Sequence, residues 1–256
     1  RSEGWRDRDD LRGCMEAERA ACVELRSIRA ADPDLPINER YVTFRRPLPD
    51  SPDKVLGWLP RKARAAARNA RDKYGLTVEF DDRHLPQVWR LYCRGMRRLG
   101  SLNYPYAFFE HLVARTPGAH LVSLVRHEGR LVAGLVTFLF HGVSLPYFVG
   151  CDPRYNRMGV SNFVYLTAME RSVELGCRVF DFGRSRRDNT GCCDFKRFHG
   201  FEPEVLQYQR IVAPERTAPN LTPSNPKFRL ARRVWPMLPL LITRPLGAAL
   251  SRHVPG

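Results

Sequence analysis

The stretch that most limits how this chain can fold runs from Leu131 to Phe140, LVAGLVTFLF, a nearly unbroken apolar run. It is bounded by a turn at His127-Glu128-Gly129 and another at Gly142. Ten residues of this kind between tight turns read as a long strand with hairpins on both sides. Its partners are Ala119 to Arg126 and Val143 to Gly150. A loop from Cys151 to Gly159 then leads to a helix over Asn162 to Leu175, closed by Gly176, and to a short apolar strand with Val179, Phe180 and Phe182. Ahead of the hairpins lie an amphipathic helix, His84 to Leu99, and a second helix from Tyr106 to Arg115. A closing strand spans Glu204 to Val212. The order α-α-β-β-β-α-β-loop-β predicts a mixed α/β domain in which antiparallel hairpins feed one βαβ crossover.

The chain before His84 is less regular. Residues 1–10 are charged and unpatterned, 11–20 read as a helix, and strands are expected at 21–26 and 41–44. Leu59-Pro60 opens a helix and Gly75 stands where its C-terminal cap belongs. Arg61, Arg64, Arg68 and Arg71 form one stripe on that helix, with Ala63, Ala66, Ala67 and Ala70 filling most of the rest. The stripe is either a phosphate-binding ridge or a solvated face. Residues 22–29, CVELRSIR, echo residues 180–187, FDFGRSRR, and a terminal strand follows each. Read as a duplication, residues 1–53 are the remnant of a first domain, 54–83 a basic linker helix, 84–213 a complete domain and 214–256 a Pro-rich, basic-apolar tail. The absence of an initial Met fits a piece of a longer protein.

The formal charge of +15 suits an anionic partner, although 37 Arg against 5 Lys also reflects a compositional skew. Seven cysteines without a CxxC pair read as reduced thiols rather than a disulfide framework or a zinc site. The histidines are too scattered for a metal centre, and none is expected.

The order of elements resembles the GNAT acyltransferase fold, an α+β mixed-sheet architecture. The closer similarity is to its FemAB-like branch, where two such domains occur in tandem. It rests on Tyr41-Val42-Thr43-Phe44-Arg45-Arg46-Pro47-Leu48, on Leu59-Pro60-Arg61-Lys62 and on Phe180-Asp181-Phe182-Gly183-Arg184-Ser185. Thr190-Gly191 through Asp194-Phe195-Lys196, then Gly200-Phe201-Glu202-Pro203, complete the set, which resembles the FemAB-like group associated with exosortase/PEP-CTERM systems. The resemblance implies a tandem arrangement with its first domain truncated. It also implies transfer of an acyl or aminoacyl group to an amine, with acyl-CoA or aminoacyl-tRNA as donor. CoA-using relatives carry a Q/R-x-x-G-x-G/A loop at a helix N-terminus, where N–H groups hold pyrophosphate. The corresponding run here, Asn156 to Ser161, matches only at Gly159, and His199 stands where similar sequences commonly have Trp.

Acyl transfer to an amine needs a positioned donor, a neutral nucleophile and a stabilised oxyanion. Lys196, the only Lys between His84 and Ile211, is the candidate cation, and it stands where the resemblance puts the FK-motif lysine. Asp181 is either a base or a structural partner of Arg184 or Arg186. Arg184, Ser185 and Thr190 are candidate substrate contacts or solvated loop residues; Tyr147 and Tyr104 are groove or core. Arg61, Arg64 and Arg68 would steer an anionic substrate. Asn162, with Gly159, is a donor contact or a helix N-cap. The expected partners are an anionic small molecule or cell-envelope precursor, tRNA as a donor carrier, and a membrane surface touched by the tail. Three readings follow: a cytoplasmic, or membrane-peripheral, FemAB-like transferase, an acyl-CoA-dependent N-acyltransferase, or a non-catalytic module on RNA or membrane.

Overall fold

The computed structural model describes residues 8–29, 32–213 and 226–252. In chain order the elements are α1 (Arg8–Ala17), β1 (Cys22–Leu25), β2 (Ile37–Asn38), β3 (Tyr41–Pro47), α2 (Pro52–Trp58), α3 (Arg61–Arg68), β4 (Thr77–Phe80), α4 (Leu85–Arg98) and α5 (Tyr106–Ala114). The three long strands β5 (His120–His127), β6 (Arg130–Phe140) and β7 (Val143–Cys151) lead to α6 (Val160–Glu174) and β8 (Val179–Asp181). Then come β9 (Ser185–Arg186), α7 (Thr190–Phe198), β10 (Pro203–Val205), β11 (Tyr208–Val212), α8 (Pro226–Val234) and α9 (Leu240–Ser251). An eight-stranded sheet has the order β10-β3-β8-β7-β6-β5-β4, with β9 also on β3; a small sheet has the order β1-β11-β2. Among the described residues only β7 and β8 pair in parallel; the other pairs are antiparallel. The sheet is thus mixed, and its one parallel step is the predicted crossover through α6.

The apolar run of β6 is central because helices cover both of its faces. Val132, Ala133 and Leu135 join a core with α2, α3 and α6 (Val55, Leu59, Ala63, Ala67, Val164, Met169), while Val136 belongs with Leu85, Val88, Tyr92, Phe109 and Phe148 on the other face. The glycine inside this run has a steric reason. Gly134 lies opposite Gly150 in register. A Cβ would fall 2.8 Å from Val88 Cγ2 at the first and 2.4 Å from the Leu91 backbone at the second. The pair makes a saddle on which α4 rests, a contact no larger residue permits.

Several expectations change. Helix α1 begins at Arg8, inside the stretch read as unpatterned, while residues 1–7 lie outside the described residues. Residues 54–83 hold more than a helix: most of α2, then α3 with a π-turn at Asn69–Lys73, and the edge strand β4 on β5. Ala63 and Ala67 of α3 and Ala70 of the π-turn are fully buried in the main core. Strand β3 lies between β10 and β8 of the large sheet, while β11, from the far end, closes the small sheet between β1 and β2. The polar loop after Gly183 folds into β9 and α7, capped by the Asn189 side chain on the Cys192 N–H. The closing strand 204–212 is two strands in different sheets, and α6 starts at Val160 rather than Asn162. In the tail, residues 214–225 lie outside the described residues, and Pro245 is tolerated inside α9.

Candidate active site

Strands β7 and β8 pair only at Val143↔Val179 and Ser144↔Phe180, although β7 continues to Cys151. The two strands therefore part from Leu145 onward. The closed end is locked by Ser144 Oγ at 2.7 Å from Ser172 Oγ of α6. A strand edge that loses its partner offers N–H and C=O groups to an extended ligand carrying amides. At the open end stand the first turn of α6 on one side and the β8–α7 segment on the other.

The β8–α7 segment is held by Lys196, which is 5% exposed. Its Nζ donates to Phe182 O at 3.0 Å, Gly183 O at 2.7 Å and Ser185 Oγ at 2.7 Å, so all three ammonium protons are used. The Phe44 ring lies 5.1 Å from the same nitrogen. Burial holds the Lys196 pKa below the usual lysine value. Ser185 Oγ, itself buried, also lies 3.4 Å from Cys192 Sγ. Phe180, Phe182, Phe195, Phe201 and Tyr165 brace the segment with edge and tilted ring contacts. Full burial of Phe180 and Phe201 contributes about 2 kcal/mol each.

Asp181, the last residue of β8, is engaged on both oxygens. Thr43 Oγ1 donates to Oδ1 at 2.6 Å and the Gly183 N–H at 2.8 Å. Arg45 Nε stands 3.4 Å from Oδ2, an ion pair without hydrogen-bond alignment. The partner of Asp181 is therefore Arg45 of the neighbouring strand, neither Arg184 nor Arg186. Arg184 lies over the Tyr41 ring at 4.6 Å, and Arg186 pairs with Asp188.

The other candidates are placed as follows. Tyr147 is exposed on β7 and packs against Phe138 and Phe148. Tyr104 packs against Phe108 and Phe148, and burial raises its hydroxyl pKa. Thr190 is exposed at the start of α7. Gly159, at φ 75°, is the N-cap of α6, which displaces Asn162 from that role into the first turn. Asn162 Oδ1 is buried without a hydrogen-bond partner.

Arg61 and Arg68 of α3 are exposed, Arg64 is half-buried, and none of the three has an ion pair among the described residues. Arg71 differs: it pairs with Glu170 of α6 at 3.5 Å. The helix connects the two ends of the site. Pro60, at its start, lies 2.9 Å from where a Cβ on Gly200 would stand, and the Ala66 carbonyl lies 2.7 Å from the equivalent position on Gly159. Because Ala66 closes one side of Gly159, a pyrophosphate at α6 has only the remaining N–H groups of the first turn. The unpartnered Asn162 oxygen suits an N–H donor, such as a ligand amide or amine, rather than a phosphate oxygen.

Two groups escaped sequence reasoning. Tyr165 of α6 lies within electrostatic reach of Cys151 and Cys192, and burial pushes its hydroxyl pKa far up. Cys192, counted there only among the reduced thiols, contacts Ser185. Neither had a signal in the sequence, since both sit in ordinary helical spacing. All seven cysteines are unpaired. Among the described residues no group of three His, Cys, Asp or Glu side chains is placed to hold a metal. A surface depression beside Asp81, Arg83 and His84 lies at the β4 edge, and its charges pair with one another and with Glu79.

A mixed sheet that opens between two parallel strands above a helix N-terminus has the form of an acyltransferase-type fold. Residues 60–197 match the family described as Acetyltransferase (GNAT) domain, more than half of the sequence. The chain belongs to the GNAT acetyltransferase family. Among solved structures it is similar to FemX, with a TM-score of 0.63, 15% identity and coverage of 88% of this chain and 77% of that one. It also resembles the C-terminal domain of a protein named as a lysylphosphatidylglycerol synthetase from Agrobacterium fabrum (TM-score 0.54, 15% identity, 79% and 73% coverage). A third is L-PGS from Bacillus licheniformis (TM-score 0.50, 12% identity, 83% and 67% coverage). At these identities the likeness is one of fold. No curated protein matches the chain.

Proposed function

We propose that the protein is a FemAB-like N-acyltransferase that moves an acyl or aminoacyl group onto an amine of a cell-envelope or peptide substrate, from the cytoplasmic side. The observation that carries this reading is the Lys196–Ser185 pair at the open end of the β7/β8 gap. The amine attacks the donor carbonyl carbon, a C–N bond forms, and the thioester C–S or ester C–O bond breaks. The amine proton leaves with the departing thiol or hydroxyl, or to water. Ser185 Oγ accepts from Lys196, so its own proton can turn from Cys192 Sγ to the developing oxyanion. Lys196 then acts as a positioning residue, its charge strengthened by the loss of water around it.

For the donor, the exposed arginines of α3 and the overall charge of +15 favour a phosphate-rich carrier such as aminoacyl-tRNA. A second reading, acyl-CoA, is favoured by family membership, by the free strand edge and by the α6 N-terminus. Under it the amide-bearing arm of CoA would lie along β7 toward Asn162, and CoA would supply the activated thioester. The fold shared with FemX, and the sequence segments that resemble the exosortase-associated group, support an acceptor in the cell envelope. A donor screen of acetyl-CoA and other CoA thioesters against charged tRNA tests both, using amine-bearing envelope precursors as acceptors. Turnover lost in Lys196→Ala is the expected result; undiminished turnover in that variant overturns the site.

A further inference from the structure

Helix α9, LLITRPLGAALS, is amphipathic in the wrong sense for a surface helix. Such a helix normally turns its large apolar residues inward. Here the buried positions are Thr243 and Gly247, one turn apart. They close on the α4–α5 connection: Asn103 Nδ2 donates to Arg244 O at 3.1 Å, and a Cβ on Gly247 would fall 2.4 Å from Asn103 Oδ1. Just before α9, Arg97 donates to Leu238 O, and Trp235 is turned inward and buried. The small and polar side of α9 therefore holds it to the domain. Away from these contacts Leu241, Ile242, Leu246 and Leu250 are exposed, as are Met237 and Leu230 of α8. Leu241 is 78% and Met237 79% exposed, values that a folded core does not explain.

The charges around this face choose its occupant. From residue 216 to 256 the chain has no Asp or Glu, and Arg233 of α8 and Arg252 at the end of α9 are exposed. A second copy of the chain would bring the same cations to the same place. An anionic lipid surface satisfies both halves of the pattern, headgroup phosphates for the arginines and acyl chains for the leucines. Spanning is excluded for this segment: twelve residues of helix reach about 18 Å against a hydrocarbon core of about 30 Å. Among the described residues no helix is long and apolar enough to cross a membrane.

We propose that α8 and α9 form a docking surface for an anionic phospholipid bilayer, with Leu241, Ile242 and Leu246 lying in the interface and Arg233 and Arg252 on headgroup phosphates. This goes beyond the transferase reading and does not depend on which donor is used. The experiment is co-sedimentation of the full chain with vesicles of phosphatidylcholine alone and of phosphatidylcholine with phosphatidylglycerol, at low and high salt. Binding is expected only with phosphatidylglycerol, weakening as salt rises. The exposed double variant Leu241→Glu/Leu246→Glu should lose about tenfold or more of that binding while melting as the parent does. Equal behaviour on both vesicle types, or undiminished binding of the double variant, overturns the proposal. So does a dimer of the parent chain that the double variant abolishes, because the face would then belong to a second copy.

Discussion

Two cationic regions meet at Gly200, and they use their charge in opposite ways. Lys196 is buried, gives every proton to the protein and stands against Phe44. The arginines of α3 begin one residue beyond Pro60, which touches Gly200 from the other side, and Arg61, Arg64 and Arg68 spend no proton on the described structure. In the first region charge shapes a loop; in the second it is offered outward. A buried cation is expensive to strand and exposed cations are cheap to remove, so substitutions should separate the two sharply.

The largest effect is expected at Lys196. Lys196→Ala leaves the Phe182 and Gly183 carbonyls and Ser185 without their donor, for a loss of about 3 kcal/mol in denaturant unfolding and of nearly all turnover. If activity vanishes while stability is unchanged, the lysine touches substrate directly, and the contrast between structural and offered charge fails. Asp181→Asn comes next. It removes the partner of Arg45 and weakens the Thr43 bond, for about 2 kcal/mol in the same measurement. A stable but inactive variant would restore Asp181 as a base. Ser185→Ala should be milder in stability, about 1 kcal/mol, yet lower kcat about tenfold or more with KM held, if its hydroxyl meets the oxyanion.

These sizes also explain what the sequence made readable. The sheet and its helices were legible because each long element repeats one signal: the apolar run of β6, the amphipathic period of α4, the glycines at the turns. Lys196 and Asp181 stood out as charges among aromatic and aliphatic neighbours. Their partners did not, because Arg45 and Thr43 come from β3, 138 positions before Asp181 in the case of Thr43. No local pattern announces such a pairing. Helix α7 was hidden for another reason: TGCCDFKRF has too short an apolar stripe to read, and its stability comes from the Asn189 cap and the rings behind it. Asn162 was misplaced by two residues at a helix start, where Gly159 in the left-handed region takes the cap.

A smaller effect is expected from His199, buried behind α7 with Nδ1 toward Phe195 O at 2.8 Å and Nε2 without a partner. Burial holds its pKa below the ordinary histidine value, so the native ring is neutral where an unfolded one begins to charge. The unfolded state then binds more protons between the lowered native pKa and about 6.5, and stability falls as pH drops through that window. His199→Phe should flatten this part of the stability profile relative to the parent. An unchanged slope would mean that the ring is protonated in the folded state.

The smallest effect on the fold, and the most informative about the outward charges, is expected from Arg61→Gln/Arg64→Gln/Arg68→Gln. The alanine face that seats α3 in the core is untouched, so melting should not move. If the ridge gathers an anionic donor or acceptor, KM at low salt should rise several-fold with kcat held, and parent and variant should converge as salt screens the field. A fall in kcat with KM unchanged would place the arginines at the reacting groups and erase the distinction from Lys196. A variant indistinguishable from the parent at every salt concentration would make the stripe a solvated face, leaving the β7/β8 gap and the Lys196 segment to recognise the substrate alone.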